Sequence, residues 1–138
     1  MHIDFIGALL FVWAGLVLGV SFLATPAKFR SLQLSRPVAL DVGRHTFAVL
    51  GWVELGFAAA VALAATLSAV PNSTPLLAAQ VPAAIVLMQV FWLRPRLDRR
   101  TQQVIEGATL PPSPLHLAFI GSETLKLCLL LFVAALIS

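Results

Sequence analysis

Three ionisable residues, Glu54, Glu123 and Lys126, stand inside long apolar runs of a 138-residue chain. Two carboxylates and one ammonium in an apolar setting can hold a proton or a cation. They can also only pair with one another. Lys126 follows Glu123 by three residues, so on a helix the two share a face. At 1.5 Å per residue, Glu54 lies ~15 Å beyond Arg44, and Glu123 and Lys126 lie ~12 and ~16 Å beyond Leu115. Gln89 reaches a similar depth on a third run. These depths correspond to a bilayer midplane, where a charge costs about 2.5 kcal/mol or more and must find a partner. Two negative charges against one positive leave one negative over. Either one glutamate is protonated, or a proton or cation occupies the site. The competing reading is that the Glu–Lys pairing fixes helix register and does nothing else.

His45 and His116 form a second constellation, each near the start of an apolar run. Two imidazoles on separate helices can ligate a b-type haem or, with a glutamate, a metal. Glu54 is about half a turn out of phase with His45, whereas His116 and Glu123 share a face. Interfacial histidines that bind nothing are common, so no cofactor is predicted. His2 and Asp4 read as solvated. The single cysteine, Cys128, excludes an intrachain disulfide and the paired CxxC of redox or zinc sites; it reads as a small buried hydrophobe. No phosphate loop, nucleophile elbow or HExxH motif occurs. An enzyme is therefore the less favoured class.

The elements that position these residues are four apolar segments, 5–23, 47–70, 76–93 and 115–137. Each approaches the roughly 20 residues needed to cross a hydrocarbon core. Helices satisfy their own backbone in lipid, and the unalternating runs exclude barrel strands. Prolines mark the boundaries: Pro26 and Pro37, then Pro71 and Pro75, then Pro95, Pro111, Pro112 and Pro114. Pro82 falls inside the third segment, near its start, where a missing donor costs little. Eight of the nine basic residues fall in or beside the loops 24–46 and 94–114, and the 71–75 loop has none. The positive-inside rule makes the basic loops cytoplasmic and puts both termini on the other side. Within the second basic loop, 96–107 is rich in helix formers and predicts a polar helix.

Composition agrees. Hydrophobic residues are 59% and charged residues 11%, against roughly 45–50% and 25% in soluble domains. A chain this small leaves much of its surface in contact with solvent, and the solvent that suits this surface is lipid. The net charge of +3 does not point to nucleic acid, because the arginines cluster in topological loops rather than along a stripe. The segment Met1–Asp4 has no lysine or arginine and the apolar run after it is long, so the first segment reads as a transmembrane helix rather than a cleaved signal.

Gly15 and Gly19 make a GxxxG step on the first segment, after Gly7. Gly56, Ala60 and Ala64 repeat the spacing on the second. Such faces let helices approach closely, within the chain or in a homo-oligomer, and internal packing is the preferred reading. Trp13 and Trp52 read as packing residues and Trp92 as part of an interfacial belt. The halves of the chain also echo each other, with His45 and Glu54 matched by His116 and Glu123 at unequal spacing, as in a parallel repeat.

Trp13-Ala14-Gly15, Val20-Ser21-Phe22, Lys28-Phe29-Arg30-Ser31-Leu32, Arg44-His45-Thr46-Phe47, Phe91-Trp92-Leu93-Arg94-Pro95-Arg96 and His116 together form a pattern. It resembles a family of four-helix membrane proteins defined as a domain of unknown function, with eukaryotic relatives linked to platinum-drug tolerance. The resemblance implies the four-helix architecture and no activity or site, and the family pattern has no fixed counterpart of Glu123 or Lys126. The expectation is thus an all-α bundle of four transmembrane helices, one domain over 1–138, in the cell membrane. It would be an accessory or oligomeric membrane module that contacts lipid and a larger complex or further copies of itself. The alternatives are a small proton, cation or solute transporter using Glu54, Gln89, Glu123 and Lys126, and a haem- or metal-binding membrane enzyme.

Overall fold

The computed structural model describes residues 2–68, 72–111 and 114–137, with side chains from Phe5 onward. The predicted end of the second segment at Val70, the boundary prolines Pro71 and Pro112, and the side chains of His2 and Asp4 lie outside what is described. Among the described residues there are helices and turns but no strand.

Helix α1 is α-helical over His2–Val17, opens into a wide π-helical turn at Leu18–Ala24, and closes again over Thr25–Phe29. Helix α2 spans Arg36–Thr66. Helix α3 spans Thr74–Ile105, with a turn at 79–80 and a second wide turn at Gln89–Leu93. Helix α4 spans Pro114–Ile137. All four are long and apolar enough to cross a membrane. Each packs against its neighbours in sequence, and α4 closes the ring on α1, its most extensive contact. The result is the up-down-up-down arrangement of a four-helix bundle.

The helices overrun the apolar segments at the basic end. Most of 24–46 is helical, and only residues 30–35 connect α1 to α2. Ser35 caps α2, accepting from the Val38 amide at 3.4 Å, and Pro37 occupies the first turn, where its missing donor is harmless. The polar stretch at the end of α3 is helical over Arg94–Ile105, as its composition predicts. Pro82 sits in the first turn of the segment that restarts at Val81.

Two prolines explain the wide turns. Pro26 and Pro95 lie inside continuous helices, where a proline ring crowds the carbonyl four residues back. In each case the turn just before the proline widens, so that the amides of Thr25 and Arg94 bond the carbonyls of Val20 and Gln89, five residues earlier. The segments Phe22–Pro26 and Phe91–Pro95 share the pattern F-x-x-x-P. The echo between the chain halves thus extends to the helices that precede the histidine-bearing ones.

Inside the ring, Ile6, Leu10, Trp13, Ala14 and Val17 form one stripe of α1 at helical spacing. They meet Ala58, Val61 and Ala65 of α2, Leu76, Ala79 and Val86 of α3, and Leu130, Val133 and Ala134 of α4. Outside it, large apolar side chains such as Trp52, Phe91, Leu117 and Phe132 are about two-thirds exposed or more. In water such surface would be an aggregation liability; in lipid it is ordinary.

Several packing expectations are corrected. A Cβ built at Gly15, Gly19 or Gly56 meets nothing within 4 Å, so these glycines face away from the other helices and do not mediate packing within the chain. The close approach is at Gly51, where a Cβ would lie 3.1 Å from Val90 Cγ2. Trp52 is 67% exposed and packs on no core, whereas Trp13 is fully buried and stacks on Phe57 at 6.0 Å between centroids. Cys128 is exposed, midway between the buried residues Lys126 and Leu130 of α4.

Candidate functional site

Polar side chains of three helices, the ionisable ones from α2 and α4, meet in the middle of the bundle. Lys126 has no exposed surface, and Glu54, Gln89 and Glu123 are each 2–3% exposed. The Lys126 ammonium pairs with Glu123 on its own helix, with Glu54 Oε1 of α2 at 2.7 Å, and donates to Gln89 Oε1 of α3 at 2.8 Å. An ammonium has three protons to give, and all three are taken. Gln89 Nε2 in turn donates to Glu123 Oε1 at 2.9 Å and to Ser122 Oγ at 2.7 Å. The structure brings together all four residues predicted for this cluster.

It also adds three that sequence did not single out for this role. From α1, the Trp13 indole donates to Glu54 Oε1 at 3.1 Å, and the Ser21 hydroxyl donates to Glu123 Oε2 at 2.5 Å. Ser122 completes the network and passes its own proton to the Phe119 carbonyl at 2.9 Å. Every helix of the ring therefore contributes. The wide turns matter locally, because Ser21 lies in one and Gln89 opens the other. Among the described residues no buried side-chain nitrogen or oxygen lacks a partner. Burial without orphaned groups is the condition under which such a network holds a fold together rather than weakening it.

A second cation besides Lys126 stands near the cluster. Arg94 reads in sequence as a topological arginine, yet it is only 9% exposed. It lines a void of about 10 Å³ together with Glu54, Gln89 and Glu123, and it lies within the electrostatic reach of both carboxylates. Its guanidinium donates to the Arg44 carbonyl at 3.1 Å and sits 5.9 Å over the Phe47 ring. Arg94 is shared, however, with Asp98 on its own helix, so three carboxylates and two cations lie within reach of one another. Arg94 therefore offsets the surplus negative charge of Glu54 and Glu123 only in part.

Toward the basic end, a larger cavity of about 440 Å³ opens between all four helices. Its floor is Ser21 and Glu123, its walls include Phe22, Leu40, Leu97 and Ile120, and Lys28, Arg44, Arg94, Asp98 and His116 also line it. Phe47 and Phe119, edge to face at 5.1 Å, lie where the cavity and the small void meet. Glu123 lines both spaces.

The two histidines do not share this cavity. His116 is exposed and borders it, as its shared face with Glu123 predicts. His45 is 72% exposed in its side chain and bonds the Asp41 carbonyl at 2.9 Å, one turn back along α2. Among the described residues no three of His, Cys, Asp and Glu gather closely enough to hold a metal ion. Trp92 is half-exposed at the basic end, with Arg96 stacked 4.4 Å over its ring, the posture of an interfacial tryptophan.

Comparison with curated proteins and with solved structures found no match. The family described as "Domain of unknown function (DUF4149)" matches residues 8–106. The match takes in Trp13, Ser21, Glu54, Gln89 and Arg94 and ends before α4, which supplies Glu123 and Lys126. Over that span, well more than half of the chain, the protein belongs to the DUF4149 family.

Proposed function

We propose that the chain is a non-catalytic multi-pass module of the cell membrane, in which Glu54, Glu123 and Lys126 form an interhelical lock. The lock would hold the bundle in one register so that its outer faces can engage a partner complex or further copies. The observation that carries this reading is the closed bonding of the cluster. Lys126 spends all three protons on buried acceptors, and Arg94 lies within electrostatic reach of both acids. A transport site must exchange its protons or ions with water, and here such exchange would have to break the buried bonds that Lys126 makes.

Orientation follows from charge. The basic residues from Lys28 to Arg44 and from Arg94 to Arg100 support a cytoplasmic placement of that end, with both termini on the opposite side. We assign no cofactor to His45 and His116.

One observation favours a second reading, passage of a proton or cation. Glu123 lines both the large cavity and the small void beside Glu54, together with Phe47, Arg94 and Phe119, and is the one acid common to the two spaces. Reconstitution in liposomes with an internal pH dye tests the choice. The lock reading expects wild-type proton and sodium flux equal to that of empty liposomes. A flux that Glu123→Gln abolishes would replace the lock reading with the second one.

A further inference from the structure

We propose that the basic-end cavity binds a small amphipathic anion, a carboxylate or phosphate head carrying an apolar tail. Its volume of about 440 Å³ falls in the range of small-molecule sites, roughly 300–1,000 Å³. Phe22, Leu40, Leu97 and Ile120 supply apolar wall for a tail.

Lys28 would hold the head group. Arg44 is paired with Asp41 at 2.6 Å. Arg94 is engaged by the Arg44 carbonyl and by the fields of Asp98, Glu123 and Glu54. Among the described residues Lys28 has no hydrogen bond and no ion pair at its ammonium, only the ring of Phe29 at 5.2 Å. It does not extend away into solvent. Its Nζ lies 2.7 Å from where a Cβ on Gly43 would be, so it reaches across to α2 and fills the space that this glycine leaves open. A cation on the wall of a mostly apolar cavity, with neither Asp98 nor Glu123 within ion-pair distance, is a site for an anion, and the surrounding wall selects one with a tail. The cavity sits at the end of the bundle where arginines gather, the depth at which anionic head groups concentrate. The inference is separate from the lock, since the cavity can bind whether or not Lys126 is structural.

The test uses full-length protein in neutral maltoside micelles. Isothermal titration with hexanoate, against hexanamide, probes a soluble anion. Native mass spectrometry with phosphatidylglycerol, against phosphatidylcholine, probes a lipid head group. The expected result is saturable binding of hexanoate or phosphatidylglycerol, and not of the neutral counterpart. Lys28→Met should weaken it about tenfold, the loss of one charge-assisted contact. Gly43→Ala, which displaces the lysine without removing charge, should also weaken it, and Lys28→Arg should retain much of it. Hexanoate binding identifies a soluble source and phosphatidylglycerol retention a lipid one. Absence of saturable binding by either probe, or equal binding by Lys28→Met and Gly43→Ala proteins that melt like wild type, overturns the proposal.

Discussion

The ammonium of Lys126 on α4 lies 2.7 Å from Glu54 Oε1 on α2, so the deepest charge of one half of the chain is neutralised by the other half. Glu123 on the same helix and Gln89 on α3 hold the same ammonium, and through Glu54 it is tied to Trp13 of α1. In lipid, helices gain little from burying apolar side chains against each other, and specific polar contacts contribute correspondingly more to register.

Lys126→Met should destabilise the bundle by about 3–5 kcal/mol, because it leaves Glu54 and Glu123 as unpaired buried carboxylates. Adding Glu123→Gln to that variant should recover part of the loss. Reversible unfolding in mixed detergent micelles measures both; a single variant as stable as wild type would count against the lock.

Trp13→Phe keeps a ring to stack on Phe57 but removes the indole donor to Glu54. The expected cost is about 1.5–3 kcal/mol, the range for a hydrogen bond to a charged group. The same unfolding assay checks it, with Trp52→Phe, on the outer surface, as the neutral control.

Glycine substitutions separate internal contacts from outer faces. Gly51→Leu should destabilise by about 1–3 kcal/mol through overpacking against Val90. Gly15→Leu, in open space, should leave the unfolding of the single chain unchanged. A lower oligomer mass for Gly15→Leu in light scattering would place a second copy on that face; an unchanged mass would leave it to lipid.

Sidedness is tested by cysteine labelling in a Cys128→Ser background. Ser73→Cys, between α2 and α3, should react with an impermeant maleimide on intact cells. Ser31→Cys, between α1 and α2, should react only after permeabilisation. The reverse pattern would invert the proposed orientation.

Much of this was legible in the residues. Four apolar runs announced four helices because nothing but lipid suits them, and Glu54, Glu123 and Lys126 stood out because ionisable groups are rare there. Helix ends were less legible, since 24–46 reads as loop by charge while its backbone continues as helix past the apolar boundary. Arg94 reads as a topological arginine because sequence does not say that its side chain is buried beside the void that Glu54 and Glu123 line. Ser21 and Ser122 resemble any small helix residue until a neighbouring helix presents a carboxylate or an amide. The GxxxG spacing of Gly15 and Gly19 is a one-helix pattern and does not say which face meets a partner. Gly51 carries the close approach with no such pattern around it.

A double-mutant cycle between Lys126→Met and Glu54→Gln, read as unfolding free energy in micelles, isolates the contact that joins the two halves. The lock predicts a coupling of at least about 2 kcal/mol, toward the upper end of the roughly 0.5–3 kcal/mol seen for residues in contact. Additivity within about 0.5 kcal/mol would contradict it.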